Sequence, residues 1–161
     1  MELQAITLTL TSISLTSILL VIITTSAYAN IGKVIVQKGE TNIERGNDGF
    51  ESIVKGFGME SMDTVRTKNG RTSIEFIDDT RVDVTEHSKL IIDDFVYDPN
   101  TQTGSLSLKA SFGTMRYASG QIAKNSRQNI KIRTPTAVVG VRGTDFSMTI
   151  DELGSSTIVL L

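Results

Sequence analysis

From residue 30 onwards, apolar residues alternate with polar residues along most of the chain. In residues 72–77, Ile74 and Phe76 lie on one side of an extended backbone, whereas Ser73 and Glu75 lie on the other. Apolar residues at every second position are typical of β-strands, and after residue 30 no long segment has them at the spacing of an α-helix. The pattern predicts strands at residues 33–37, 72–77, 81–85, 90–96, 105–109, 112–117, 129–133, 144–150 and 156–161.

Short clusters of turn-forming residues separate these strands. Residues 46–49 (Gly-Asn-Asp-Gly), 78–80 (Asp-Asp-Thr) and 98–100 (Asp-Pro-Asn) favour turns, and Asn69-Gly70 is a pair typical of type I′ hairpins. Many short strands at intervals of roughly 8–12 residues predict an all-β fold, either a short-strand sandwich or barrel or a twisted β-solenoid of the β-helix kind.

The first 29 residues have a different character. No charged residue lies between Glu2 and Lys33, and residues 18–23 are continuously apolar. Ala27 and Ala29 flank Tyr28 in the Ala-x-Ala arrangement that signal peptidase accepts. We predict a cleaved signal peptide at residues 1–29. One feature disagrees with a signal peptide, because Glu2 lies where a positively charged start is usual. The alternative is an uncleaved helical membrane anchor, although its many Ser and Thr residues disfavour insertion.

With a cleaved signal peptide or a retained anchor, we expect an all-β domain of residues 30–161 outside the cytoplasm, in the periplasm or the extracellular space. A retained anchor would hold this domain at the inner membrane. The chain ends with Ile158-Val159-Leu160-Leu161. Because an apolar strand needs a neighbour, we expect either a final paired strand or a polypeptide that continues beyond Leu161.

The amino-acid composition excludes several kinds of functional site. With no Cys and one His among 161 residues, disulfides, thiol nucleophiles, thiolate zinc sites and multi-His metal sites are excluded. A formal net charge of -2 lacks the basic field that nucleic-acid binding requires. We therefore expect no nucleic-acid partner, no metal, no cofactor and no catalysis. Paired carboxylates acting on a polysaccharide are the remaining enzymatic alternative, but no such pair is fixed by the sequence.

The single histidine and the acidic pairs have simple interpretations. His87 lies between Glu86 and Ser88, and because neighbours on a strand point to opposite faces, these residues predict a surface histidine rather than a catalytic triad. The acidic residues lack the spacing of an EF-hand or a calcium-binding repeat, so we interpret them as solvated turn carboxylates rather than calcium ligands. They are Asp78, Asp79, Asp93, Asp94 and Asp98.

A small basic segment contains Lys124, Arg127, Lys131 and Arg133. Lys131 and Arg133 are expected to share the outer face of one strand. Four charges without interleaved aromatic residues give only a minor indication of an anionic partner surface.

The most unusual stretch is residues 134–146, Thr-Pro-Thr-Ala-Val-Val-Gly-Val-Arg-Gly-Thr-Asp-Phe. A structural interpretation places a corner at Pro135, a buried run at 137–141 and a bulge at Gly143, with Arg142 extending across a sheet to a carboxylate or to carbonyl groups. A functional interpretation makes the same corner a contact site for a partner. The candidate residues for a structural or partner-binding corner are Thr134, Pro135, Gly140, Arg142, Gly143, Thr144 and Asp145.

This stretch resembles the signature of the FecR-type domain, in which Thr-Pro is followed by a small, valine-rich run, Arg-Gly-Thr and an aromatic residue. Further segments resemble that domain in the same order, and the resemblance covers about residues 31–150. Those segments are residues 58–67, 70–76, 79–84, 88–90 and 106–115. Where the family has Gly-Asp before a Val-x-Thr strand, this sequence has Met62-Asp63, so we expect a different turn there.

The resemblance implies an all-β, partly solenoid-like extracytoplasmic domain without known catalysis. Its best-understood members relay an iron-siderophore signal from an outer-membrane receptor to a sigma factor. We expect no sigma-binding region here, because only residues 1–17 precede the apolar segment. Short stand-alone relatives with signal peptides occur in bacterial and some phage genomes.

Two functional hypotheses remain. The first is a non-catalytic, exported FecR-like domain that binds a protein or another component of the cell envelope, by strand addition at a sheet edge or through the corner at 142–145, with a link to iron-siderophore sensing. The second is a structural or virion-associated β-module of a larger assembly, suggested by the apolar terminal strand.

Overall fold

The computed structural model describes residues 30–46 and 49–161. In it, segments in which apolar and polar residues alternate form strands. The predicted signal or anchor segment at 1–29 and the turn residues Asn47 and Asp48 lie outside the described residues. In chain order, the described strands are β1 Gly32–Lys38, β2 Thr41–Glu44, β3 Phe50–Ser52, β4 Gly58–Met59, β5 Thr64–Thr67, β6 Arg71–Phe76, β7 Arg81–Val84, β8 Ser88–Asp98, β9 Thr103–Ala118, β10 Ile130–Arg133, β11 Val138–Gly140, β12 Phe146–Ile150 and β13 Ser156–Leu160. One short helix, α1 Gln121–Asn125, lies between β9 and β10.

The strands form two sheets that share β9. Sheet A has the order β4-β1-β6-β7-β9-β12-β13, and sheet B has the order β3-β2-β5-β8-β9-β10-β11. Among the described strand pairs, β9 and β10 run parallel and the others run antiparallel. Because both sheets contain β9, they are continuous and together form one curled, half-barrel sheet. This confirms the predicted all-β fold class.

The long strand β9 produces the curl. Its first half pairs with β8 as far as Lys89 opposite Phe112, and its second half pairs with β7 and β12 from Gly113 onwards. Gly113 has φ +93°, a left-handed conformation that glycine tolerates and other residues rarely adopt. The strand therefore bends at Gly113 and passes from one sheet to the other.

The inner faces of both sheets meet in a core of aliphatic residues and a few aromatic rings. Phe76 of sheet A stacks on Phe95 of sheet B with ring centroids 5.3 Å apart, and Tyr117 stacks on Phe146 at the same distance. Each buried apolar side chain contributes about 1.5–3 kcal/mol. The apolar residues of the alternating pattern are thus the residues that pack the two sheets together.

The predicted type I′ hairpin at Asn69-Gly70 is wrong. β5 and β6 flank this pair but lie in different sheets, where β5 pairs with β2 and β8, and β6 pairs with β1 and β7. Gly70 is not among the glycines with positive φ, as a type I′ turn would require. A side chain there would lie 2.6 Å from the carbonyl oxygens of Lys38 and Glu40, so the glycine permits close passage between the sheets.

Two other predictions need correction. The separate strands expected at 105–109 and 112–117 are one continuous strand, β9. The helix α1 was not predicted, because a single turn shows no helical interval. Asp78 fixes its start: the Asp78 carbonyl oxygen accepts a hydrogen bond from Gln121 N–H at 2.7 Å, and Asp78 Oδ2 accepts one from Ile122 N–H at 3.2 Å.

Asp78 and Asp93 differ from the solvated carboxylates that were predicted, whereas Asp79, Asp94 and Asp98 are exposed. Asp78 is fully buried and also accepts hydrogen bonds from Thr80 N–H and Oγ1. Asp93 lies within β8, where it accepts hydrogen bonds from Lys109 and from Arg133 Nη1, the latter at 2.9 Å. The hydrogen bond from Lys109 is the main cause that lowers the pKa of Asp93. The turns predicted at 78–80 and 98–100 are present.

Within the described part of the chain, no helix is long and apolar enough to cross a membrane.

Candidate functional site

The Thr-Pro-Thr segment forms the tight turn between β10 and β11. Thr134 N–H donates to the Ala137 carbonyl oxygen at 2.9 Å, and Ala137 N–H donates to Thr134 Oγ1 at 3.1 Å. Arg133 then lies opposite Val138 in the β10–β11 ladder. Pro135 occupies the second position of the turn, where its fixed φ favours chain reversal. The chain therefore turns at Pro135.

The tip of this turn contacts the turn between β12 and β13. Thr136 Oγ1 donates to the Gly154 carbonyl oxygen at 2.9 Å, and Ser156 Oγ donates to Thr134 Oγ1 at 2.9 Å. A Cβ atom built at Gly154 would lie 3.1 Å from Pro135 Cβ. The Thr-Pro-Thr turn thus joins the edge hairpin of sheet B to the edge hairpin of sheet A.

The buried run predicted at residues 137–141 is wrong. Val138 is 64% exposed, Val139 is half-buried and packs against the core, and only Val141 of the three valines is buried. The reason is that β11 is an edge strand, in which Val138 shares the outer face with Arg133. Apolar composition alone does not distinguish such an edge from a buried strand.

Residues 141–145 form a loop between β11 and β12 rather than the predicted bulge. Gly143 has φ +74°, and regular pairing resumes only at Phe146, which lies opposite Tyr117 and Leu160. Asp145 fixes the loop, because Asp145 Oδ1 accepts a hydrogen bond from Ser119 N–H at 2.8 Å. The alternation of Phe146, Met148 and Ile150 follows the prediction, with all three buried.

Arg142 and Thr144 project from this loop and are exposed. The expectation that Arg142 reaches across a sheet to a carboxylate is not met, since among the described residues it forms no salt bridge or side-chain hydrogen bond. The structure also separates the two parts of the motif. The strand β11 lies between them, so Pro135 is at one end of this strand and Arg142 is beyond the other.

The terminal strand β13 lies beside the Arg142 loop. Leu161 N–H donates to the Asp145 carbonyl oxygen at 3.0 Å, and Leu160 lies opposite Phe146. The loop and the end of β13 therefore form one continuous surface, which we call the loop–edge surface and define by Arg142, Thr144 and β13. Sequence reasoning identified both features but gave no indication that they are neighbours.

β13 pairs with β12, and its other edge is open within the described residues. Its apolar side chains are exposed: Ile158 is 39% exposed, Val159 55% and Leu160 70%. Ile158 and Leu160 lie opposite Met148 and Phe146, so they extend the apolar inner face of sheet A beyond the covered core.

The other sheet edges in the described part of the chain are shorter. β4 has two residues, β11 has three, and the three residues of β3 include the exposed Glu51. Short length and charge are the usual means by which edge strands avoid pairing with other chains. β13 has five residues, no charge and no proline, so it lacks this protection.

The surface contains no group suited to acid–base or metal chemistry. In the described residues, no three His, Cys, Asp or Glu side chains converge as a metal site requires. His87 is an exposed residue with φ +50°, and its backbone N–H donates to the Lys68 carbonyl oxygen at 2.9 Å. Tyr117 is fully buried in the core, and this burial raises the pKa of its phenol. The arrangement is suited to contact with another molecule.

Comparison with known protein families agrees with these features. The sequence model described as FecR protein matches residues 63–161, which include the Thr-Pro-Thr turn, the Arg142 loop and β13. The chain belongs to the FecR family. FecR-family proteins are regulatory, signal-transducing proteins linked to iron-siderophore control, and they are typically periplasmic or membrane-associated sensors rather than enzymes. Searches of curated proteins and of solved structures found no match to the chain.

Proposed function

We propose that this protein is a non-catalytic, exported FecR-family domain that binds a protein partner by strand addition at the loop–edge surface. A partner that belongs to the cell envelope and carries an iron-siderophore signal fits the family's regulatory role. The observation that carries the proposal is the open, uncharged edge of β13, located next to the exposed Arg142.

The backbone of β13 is oriented for such an addition. Asp151 and Ser155, and Asp145 and Leu161, form hydrogen-bonded pairs at the two ends of the β12–β13 ladder. Because hydrogen-bonded and non-hydrogen-bonded pairs alternate in an antiparallel ladder, the N–H and C=O groups of Ser156, Ile158 and Leu160 point away from β12. These groups are available to the main chain of an added strand.

Side chains around the edge provide specificity for the added strand. Ile158 and Leu160 offer an apolar face that a partner strand would cover, as in β-strand addition generally. Arg142 and Thr144 lie beyond the end of β13, where Arg142 is suited to a carboxylate of the partner. The main chain thus provides general affinity, and the side chains select the partner.

The experiment compares wild-type protein with Leu160→Pro as bait for envelope proteins, followed by amide hydrogen exchange on the purified complex. Proline at 160 removes a donor that points outward and leaves the ladder with β12 intact. We expect wild-type protein to retain a partner that protects the amides of Ile158 and Leu160 from exchange. Leu160→Pro should lose this partner, and Arg142→Ala should bind it more weakly.

Val159→Ala is the matched control, because Val159 is exposed on the outer face and its backbone already pairs with Ser147. Its partner binding should equal that of the wild type, and thermal melts should show that every variant is folded. Retention of the same partner by Leu160→Pro, or a wild-type complex in which the amides of Ile158 and Leu160 exchange as fast as in the free protein, would falsify strand addition at β13.

A structural module within a larger assembly is the second candidate function. The same unguarded edge supports it, because an added strand can also come from another copy of the chain.

A further inference from the structure

Two exposed phenylalanines lie on the outer face of sheet B, away from the loop–edge surface. Phe50 of β3 is 62% exposed and Phe112 of β9 is 40% exposed. Both line one shallow cavity of about 520 Å³, together with Asn42 and Arg66. These rings lie on the solvent side of the sheet, outside the core, and face the same cavity.

Cationic and amide side chains connect the two rings. Strand register places Asn42 opposite Arg66, Arg66 opposite Lys89, and Lys89 opposite Phe112, so these four residues form one row across β2, β5, β8 and β9. At about 4.8 Å between strands, the row spans about 14 Å. Phe50 joins it through Arg66, whose guanidinium carbon lies 5.6 Å from the centre of the Phe50 ring. We call these five residues the Phe50–Phe112 face.

The charges of this face are only partly neutralised. Arg66 has Glu44 as its nearest acidic partner, at 3.8 Å, and its side chain is 39% exposed. Lys89 forms no salt bridge among the described residues. Farther along the same face, Lys109 and Arg133 are both held by Asp93. The cations available to a ligand are therefore Arg66 and Lys89, with an aromatic ring on each side.

The geometry points to a site for an acidic polysaccharide on the Phe50–Phe112 face. Aromatic rings stack against the apolar faces of sugar rings, and Arg66 and Lys89 pair with the carboxylates of uronic acids. Asn42 and Ser52, which contact each other at 3.3 Å, offer hydrogen bonds to sugar hydroxyls. The length of the row suits an extended chain of sugars rather than a single small molecule.

Charge density favours a polysaccharide over a nucleic acid. Duplex DNA carries one charge per about 1.7 Å, and proteins that bind it neutralise roughly 6–10 phosphates. The Phe50–Phe112 face offers two available cations in a protein with a formal net charge of -2. A uronate polymer separates its carboxylates by whole sugar rings, so two cations suffice for it. This site belongs to sheet B and does not depend on the strand addition proposed for β13.

The test measures fluorescence anisotropy of a labelled oligogalacturonate on titration with the protein. We expect saturable binding that weakens with added salt, that falls about tenfold in Phe112→Ala or Phe50→Ala, and that falls similarly in Lys89→Gln. Val96→Ala is the matched control. Val96 is 58% exposed on the outer face of sheet B opposite Ser105, and its loss should leave the binding unchanged.

Uncharged dextran oligomers and oligothymidylate are the competing ligands. The proposal requires that neither displaces the labelled oligogalacturonate. It is overturned if the wild type does not bind oligogalacturonate, if dextran or oligothymidylate binds as tightly, or if the three face variants bind like Val96→Ala. Thermal melts of each variant separate loss of the site from loss of the fold.

Discussion

At the scale of single residues, Met62 is a non-glycine residue in the left-handed region, at the turn before β5. The turn before β5 was expected to differ, because this sequence has Met62-Asp63 where the family has Gly-Asp. In the structure, Met62 adopts φ +72°, and its N–H donates to the Ile92 carbonyl oxygen at 2.7 Å. The left-handed conformation costs a residue with a Cβ atom roughly 1–2 kcal/mol. The backbone of Met62 is therefore strained.

Met62→Gly should stabilise the protein. The Met62 side chain is 65% exposed, so its removal costs little burial, while glycine relieves the left-handed strain at some cost in unfolded-state entropy. We expect a net gain of about 0.5–1 kcal/mol in the free energy of unfolding, measured by urea denaturation. Met62→Ala is the control, because it removes the side chain but keeps the Cβ atom. Equal stability of the two variants would show that strain at this φ is unimportant.

The partner of Asp63 could not be found from the sequence. Asp63 is fully buried, and its two carboxylate oxygens accept hydrogen bonds from Arg45 Nε and Nη2, both at 2.8 Å. The hydrogen bond that Arg45 donates to Asp63 is the main cause that raises the pKa of Arg45. Eighteen positions separate the two residues, and no local pattern joins them. Sequence patterns report which residues face inward, whereas a specific long-range pair depends on how β2 and β5 align.

At the scale of elements, strand positions could be predicted and strand partners could not. The alternation located β1, β6, β8 and β12 to within a few residues, because burial on one face requires apolar residues at every second position. Asn69-Gly70 misled the prediction, because the same dipeptide serves a tight hairpin or a passage between sheets. The predicted break within β9 is in fact a β-bulge at Ser111, because Leu90 pairs with Ala110 and Lys89 with Phe112, so the buried positions shift by one residue beyond it.

Gly113→Ala should destabilise the protein strongly. A Cβ atom at this position would lie 2.1 Å from Ser88 Oγ and 2.5 Å from Ser88 Cα, and alanine disfavours φ +93°. We expect a loss of roughly 2–4 kcal/mol in the free energy of unfolding, measured by chemical denaturation. Gly140→Ala is the control, because no atom lies within 4 Å of the added methyl group. If the two variants lose equal stability, the bend does not depend on glycine.

At the scale of the whole molecule, the candidate site arises from the meeting of two sheet edges. The sequence marks the residues of the 134–146 motif as unusual, and in the structure they divide into a turn that joins two hairpins and a loop beside β13. This division depends on the shared strand β9, which places β10 and β12 on the same side of it. A one-dimensional pattern does not contain that arrangement, so the loop–edge surface became visible only in three dimensions.

The open edge of β13 also predicts how the protein behaves without a partner. Edge strands usually carry a charge or a proline that prevents pairing between copies, and Ser156–Leu160 carries neither. A formal net charge of -2 gives little repulsion between copies. A two-fold axis between two β13 strands would keep both apolar inner faces on the same side of a continuous sheet. We therefore expect concentration-dependent association in sedimentation velocity experiments.

Leu160→Lys should abolish this association, because it places a charge on the inner face of the open edge, where Leu160 is 70% exposed. Leu153→Lys is the matched control: it makes the same chemical change at a residue that is 89% exposed in the turn between β12 and β13, outside the ladder. A wild-type protein that stays monomeric at every concentration would exclude the assembly-module alternative, since the unguarded edge would then pair only with a different chain. Dissociation by Leu153→Lys to the same extent would mean that total charge, rather than the edge of β13, controls the association.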